Sequence, residues 1–97
     1  MIIGYIRVST EKQNPDNQRE EIRRFAEEKS FEIDDWITET VSGKTRYRKR
    51  KLGRVLRKLR AGDTLVVTEI SRLSRSLTEI MEIIFFNDTA TTGIYTT

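Results

Sequence analysis

Ile2, Ile3, Tyr5, Ile6 and Val8 crowd into the first eight positions, with Gly4 as the one residue there that disfavours a strand. A nearly unbroken run of β-formers predicts a central strand covered on both faces. Ser9 and Thr10 end it, and Asn14-Pro15-Asp16 marks a turn. Asp16 or Asn17 then caps a helix running to about Lys29, with Ile22, Phe25 and Ala26 on one stripe. Phe31–Thr38 reads as a second strand through Phe31, Ile33, Trp36 and Ile37, followed by a polar loop at Val41-Ser42-Gly43-Lys44. Leu52, Val55, Leu56 and Leu59 recur at helical spacing up to Arg60, and Ala61-Gly62-Asp63 signals a stop and turn. Thr64–Thr68 is a short buried strand, and Leu77, Ile80, Met81 and Ile84 suggest one more helix.

Strands alternating with helices predict an α/β fold, doubly wound, with a mostly parallel sheet and helices on both faces. Ligands in such sheets sit beyond the carboxyl ends of the strands. Ser9, the Ser42 loop and Ser71–Arg75 all fall there. From Phe85 the chain loses its helical period and becomes rich in threonine. We read 1–84 as the domain and 85–97 as a junction with unrelated sequence, of the kind that translated adapter read-through produces. The plainer alternative is a short disordered or strand-like tail.

An apolar share of 36% in 97 residues supports one thin core. No run approaches a membrane span and no secretory signal opens the chain, so a cytoplasmic protein without membrane contact is expected. Cysteine and histidine are both absent. That removes a disulfide framework and the usual zinc ligands, so no metal and no cofactor is expected, and chemistry falls to Ser, Tyr, carboxylates and arginines. The net charge of +3 hides a strong asymmetry, because Lys44–Arg60 carries ten Lys/Arg and no acid. Such a block suits DNA, where cations displace condensed counterions. Its plainer reading is a solvated helix face.

Three features could carry chemistry. Period-two alternation puts Tyr5, Arg7 and Ser9 on one side of the first strand, bringing a hydroxyl nucleophile beside a guanidinium. Such a serine is more often only a turn residue. Ser71-Arg72-Leu73-Ser74-Arg75-Ser76 follows a buried strand and opens a helix, so Arg72 and Arg75, three apart, share a face near its N-terminus and form an anion site. The alternative is a pair of solvated arginines, one of them paired with Glu79. Gly43, leading into Arg46, Arg48 and Arg50, lets backbone approach a phosphate closely.

Tyr-x-Arg-Val-Ser-Thr near the N-terminus, Gln18 after the first loop, Ser-Gly after the second strand and Arg-Leu-x-Arg after the third resemble the resolvase/invertase family of serine site-specific recombinases over about residues 1–84. The resemblance implies that Ser9 attacks a DNA phosphate, giving a 5′-phosphoserine link and a free 3′-hydroxyl without metal or external energy. It implies that Arg7, Arg72 and Arg75 surround the scissile phosphate, with Tyr5, Gln18 and Ser42 in support. A further family arginine corresponds to either Arg48 or Arg50. Lys44, Arg46, Lys49 and Lys51 are candidate DNA contacts. The family pattern has an aspartate where Ser71 stands here, with Glu69 close by, and often an aspartate where Glu39 stands. It also implies DNA as partner, a homodimer or tetramer in the full-length parent, and later segments for dimer contacts and DNA reading. The competing readings are a non-catalytic nucleic-acid-binding α/β module and an inactive fragment.

Overall fold

A computed structural model describes residues 1–10, 12–42, 44–60, 62–82 and the backbone of 93–96. Strand β1 (Ile2–Val8) lies between β2 (Asp35–Thr40) and β3 (Thr64–Val67), and β4 (Gly93–Thr96) flanks β3. The sheet order is β2-β1-β3-β4 and every pairing is parallel. Helix α1 (Asp16–Glu28) covers one face, packing Ile22 against Ile6 and Val66. Helix α2 (Lys51–Lys58) covers the other, where Leu52, Val55 and Leu56 meet Ile3, Tyr5, Leu65 and Val67. A doubly wound parallel sheet is what the alternating pattern predicted. The period-two rule assigns the faces of β1: Ile6 goes to α1, and Ile3 and Tyr5 to α2.

The second strand begins later than predicted. Phe31 and Ile33 serve the connection, packing under α1 with Phe25, and pairing with β1 starts only at Asp35 opposite Ile3. Trp36 stands opposite Gly4, and a Cβ on Gly4 would lie 2.6 Å from two indole carbons. Gly4 is therefore required by close approach of an aromatic ring.

Helix α1 also begins differently. Pro15 occupies the cap position, Asp16 lies inside the first turn, and the Asp16 N–H donates to Asn14 Oδ1 at 2.9 Å. The capping side chain is therefore Asn14, because proline has fixed the turn ahead of Asp16. At the other end, the N–H groups of Ser30 and Phe31 donate to the carbonyls of Glu27 and Ala26, with Ser30 at φ 60°. This is a Schellman closure with serine where glycine is usual.

Short 3-10 turns at Tyr47–Lys49 and Ile70–Arg72 precede α2 and α3 (77–82). In α3 Leu77 and Met81 are exposed and Ile80 is half-buried, while Ile84 lies outside the described residues, as do Gly43 and the proposed boundary at 84/85. A groove of about 690 Å³ opens at the amino edge of the sheet, floored by Ile3, Ile37 and Val55. It lies at the opposite edge from Ser9.

Candidate active site at the carboxyl edge of the sheet

Beyond Val8 the chain turns sharply, and the Gln13 side chain holds that turn by accepting the Ser9 N–H at 2.6 Å. Ser9 is half-buried, and its Oγ accepts a hydrogen bond from Arg7 Nη1 at 3.2 Å. The sequence did not single out Gln13. A glutamine five residues past a strand end carries no signal of its own.

Arg7 is 1% exposed. Its Nε and Nη2 donate to the carbonyls of Arg72 and Ser71, each at 2.9 Å, and Nη1 also donates to the Val41 carbonyl at 3.1 Å. One guanidinium thus fastens the loops after β2 and β3 to the end of β1 and still reaches Ser9. Its planar fork allows this, where a lysine could offer only a point charge. Burial, then the charge of Arg50, with smaller effects from Arg72 and Arg75, pushes the Arg7 pKa down. The site therefore concentrates positive charge.

Arg50 and Arg48, alternatives in the sequence, have different surroundings. Arg50 is buried, and its Nη2 donates to the Leu73 carbonyl and, at 3.1 Å, to Tyr5 Oη. Arg48 is exposed over the Tyr47 ring, 5.8 Å from its centroid. Glu39 completes the buried group, with Oε2 accepting from Tyr5 Oη at 2.5 Å and lying 3.6 Å from Arg50 Nε. Its carboxylate also accepts the N–H groups of Lys51 and Leu52 at 2.9 and 3.2 Å. Helix α2, with no capping side chain of its own, is thus capped from β2. Burial, then the bond to Glu39, raises the Tyr5 pKa and keeps the phenol protonated.

Arg72 and Arg75 do not share a helical face. Arg72 ends a 3-10 turn and α3 starts only at 77, so the fold of the connection brings them near Arg7. Arg72 Nη1 donates to the Arg7 carbonyl at 3.4 Å, while its Nε is buried without a partner. Arg75 is exposed, close enough to lower the Arg7 pKa. Glu79 pairs with neither: it accepts the Tyr47 N–H at 2.5 Å. Ser71 Oγ donates to Glu69 at 3.0 Å and only its carbonyl meets Arg7.

Gln18 is buried and its Nε2 donates to the Arg7 carbonyl at 3.0 Å. Ser42 is exposed, its Oγ accepting the N–H of Lys44 in its own loop. Lys44, Arg46, Lys49 and Lys51 are exposed, and among the described residues none of them forms a salt bridge. The site thus joins Tyr5, Arg7, Ser9, Gln18, Arg50, Arg72 and Arg75, and leaves Ser42, Arg48 and the lysines around it. Among the described residues, Glu39 is the one carboxylate in ion-pair contact with these arginines.

A parallel sheet whose central strand ends in a serine inside an arginine cluster defines a class, and the family model for the resolvase N-terminal domain matches residues 2–97. The chain belongs to that family, the serine recombinases. It is 40% identical over 84 residues to the serine recombinase Gin of Escherichia phage Mu, covering 87% of this chain and 40% of that one. It is 37% identical over 82 residues to the transposon Tn1546 resolvase of Enterococcus faecium, covering 84% of this chain and 39% of that one. The N-terminal catalytic domain of TP901-1 integrase matches in fold, with TM-score 0.87 at 24% identity over 98% of this chain and 76% of that one. A serine recombinase from Sulfolobus solfataricus is 28% identical, with TM-score 0.68 over 98% of this chain and 68% of that one. The chain spans about 40% of the length of the curated relatives it matches. Among the described residues no helix is long and apolar enough to cross a membrane.

Proposed function

We propose that this chain, chiefly residues 1–84, is catalytic-domain sequence of a site-specific DNA recombinase that cuts and rejoins strands through Ser9. The observation that carries the reading is the Arg7–Ser9 contact of 3.2 Å within a guanidinium group whose one neutralising carboxylate, Glu39, sits on Arg50. Ser9 Oγ attacks phosphorus, the P–O3′ bond breaks, and the products are a 5′-phosphoserine and a free 3′-hydroxyl. Attack by that hydroxyl, or by one from another strand, reverses the step and conserves the phosphodiester energy.

The chain's own residues divide the work. Arg7 accounts for most of its N–H groups with backbone carbonyls, so its contribution is to orient Ser9 Oγ. On this reading Arg72, whose Nη1 reaches the Arg7 carbonyl, and exposed Arg75 hold the non-bridging oxygens as charge develops. Electrostatic donors of this kind contribute about 3–4 kcal/mol each to the barrier. Tyr5, Glu39 and Arg50 brace the wall behind them. The exposed cations from Lys44 to Lys51 suit the flanking DNA backbone, which puts DNA as the partner.

The test is to denature a full-length protein carrying this domain during reaction with its DNA site and search for DNA linked to Ser9. Ser9→Ala should abolish the adduct and spare binding. An adduct that survives Ser9→Ala would sink the proposal, and salt-sensitive binding with no cleavage would favour a non-catalytic nucleic-acid module.

A further inference from the structure

Ser76-Leu77-Thr78-Glu79 has the spacing of a capping box, in which the serine hydroxyl accepts the N–H three residues on and the glutamate side chain reaches back to the serine N–H. Only the first half forms. Ser76 Oγ accepts the Glu79 N–H at 3.3 Å, but the Ser76 N–H donates to Ser74 Oγ at 3.0 Å. Ser74 is 1% exposed and takes the place the glutamate would fill. Freed from its own helix, the Glu79 carboxylate is 6% exposed and accepts the N–H of Tyr47, 32 residues away.

That diverted bond closes a circuit. The Tyr47 carbonyl accepts the Arg50 N–H at 3.0 Å, and the Arg50 guanidinium donates to the carbonyl of Leu73, the residue before Ser74. From Ser74 the path returns through Ser76 to Glu79. Arg72 and Arg75 project from the same connection. Nothing in the Lys44–Arg60 block can supply a carboxylate to the N-terminus of the Tyr47 turn, since the block holds no acid.

We infer that Glu79 is a positioning residue: by capping the Tyr47 turn across the domain it fixes Arg50 against the Leu73 carbonyl, and so fixes the spacing of Arg72 and Arg75 around the anion that Ser9 attacks. It touches no substrate. The functional part of this inference rests on the reading of Ser9 as a nucleophile.

The test uses the 97-residue chain, inorganic phosphate as probe, and amide and guanidinium NMR signals as readouts. Glu79→Gln keeps an acceptor oxygen, whereas Glu79→Met keeps the volume and loses it. Glu79→Met should speed exchange of the Tyr47 amide and weaken phosphate at the Ser9 and Arg75 signals by about tenfold each, the scale of one lost charge-assisted bond. Glu79→Gln should hold both within about twofold of the parent, on the same scale. Ser74→Ala, which releases the Ser76 N–H to draw Glu79 back, should also expose the Tyr47 amide, and it serves if Glu79→Met does not fold. Unchanged Tyr47 protection in both Glu79→Met and Ser74→Ala would overturn the inference, as would a Glu79→Gln chain as impaired as Glu79→Met. If the parent chain binds no phosphate near Ser9, the recombinase reading loses its anion site, while the Tyr47 and Arg50 signals still decide the role of Glu79.

Discussion

The two edges of one parallel sheet are built on opposite principles. At the amino edge, the N-terminal ammonium and two backbone N–H groups beside the strand ends meet carboxylates. The N-terminal ammonium lies 2.9 Å from Asp63 Oδ1, Asp34 Oδ2 accepts the Ile2 N–H at 2.7 Å, and the Arg60 N–H donates to Asp63 Oδ2 at 2.9 Å. At the carboxyl edge Arg7, Arg50, Arg72 and Arg75 gather, and among the described residues only Arg50 has an ion pair, with Glu39. The buried polar atoms without a hydrogen-bond partner, among the described residues, are Gln18 Oε1, Arg50 Nε, Thr68 Oγ1 and Arg72 Nε, and all four belong to residues at that edge. Buried polar groups in folded proteins are nearly always satisfied. An edge that gathers the exceptions is one where local consistency has yielded to something else, as functional sites do. The amino edge teaches what this chain does when only stability is at stake.

The sharpest way to break the comparison is to remove Glu39, the acid that ion-pairs with Arg50 at the carboxyl edge. Glu39→Leu strands Arg50, Tyr5 Oη and two N–H groups of α2, and deleting one partner of a buried ion pair costs about 3–5 kcal/mol. Urea unfolding should register most of that loss, with Glu39→Gln falling between. A loss below about 1 kcal/mol, the scale of an exposed pair, would mean that the carboxyl edge is not held by this network.

Arg75→Ala sharpens the contrast from the other side. Its side chain is exposed and, among the described residues, forms no hydrogen bond or ion pair, so stability should change by less than about 0.5 kcal/mol. Strand cleavage by a full-length protein carrying the change should fall by about 10²–10³, if the arginine stabilises the transition state. Comparable losses in melting and in cleavage would make Arg75 structural.

Much of this contrast was legible in the sequence. The run Ile2–Val8, the stripe Leu52-Val55-Leu56 and the turn at Gly62 are short-range patterns, and they place the strands and helices with errors at their ends. Phe31 and Ile33 misled because an apolar connection packed beneath a helix has the same local pattern as a strand. Arg7 beside Ser9 follows from period two alone. What period two cannot reveal is that the Arg7 fork closes on carbonyls 34 and 64–65 residues away. Arg50 and Arg48 are two residues apart, and only the position of Tyr5 and Leu73 separates them. Glu79 was hidden for the same reason: the sequence offered it only as a partner for one of the arginines, whereas its carboxylate accepts the N–H of Tyr47, 32 residues away.

If the amino edge is shaped by stability alone, it should be open to improvement. Ser30 holds the left-handed position that closes α1, at φ 60°, and it has no side-chain hydrogen bond there among those described. A non-glycine residue in that region is strained by roughly 1–2 kcal/mol, partly offset by the greater freedom of glycine in the unfolded chain. Ser30→Gly should therefore stabilise by up to about 1 kcal/mol and leave phosphate binding at Ser9 unchanged. A destabilised Ser30→Gly chain would show that the serine hydroxyl has a role in the closure.

The smallest effect is the most specific in its pH dependence. The Arg60 N–H, then the N-terminal ammonium, holds the Asp63 carboxyl below its ordinary value of 3.8. The same contact, led by the bond from Asp63, raises the N-terminal ammonium above 8.0. A depressed acid contributes stability that is fully present above 3.8 and lost as pH falls through the lower folded value. A raised amine contributes stability fully present below 8.0 and lost as pH climbs through the higher folded value. Both groups are open to solvent, so the contribution is small and screened by salt. Asp63→Asn should accordingly lower the melting temperature slightly at neutral pH. The gap between parent and variant should close toward acid pH and narrow again at alkaline pH. A gap that is flat with pH would mean that the amino edge is fastened by packing and backbone bonds, and that its matched charges are incidental to it.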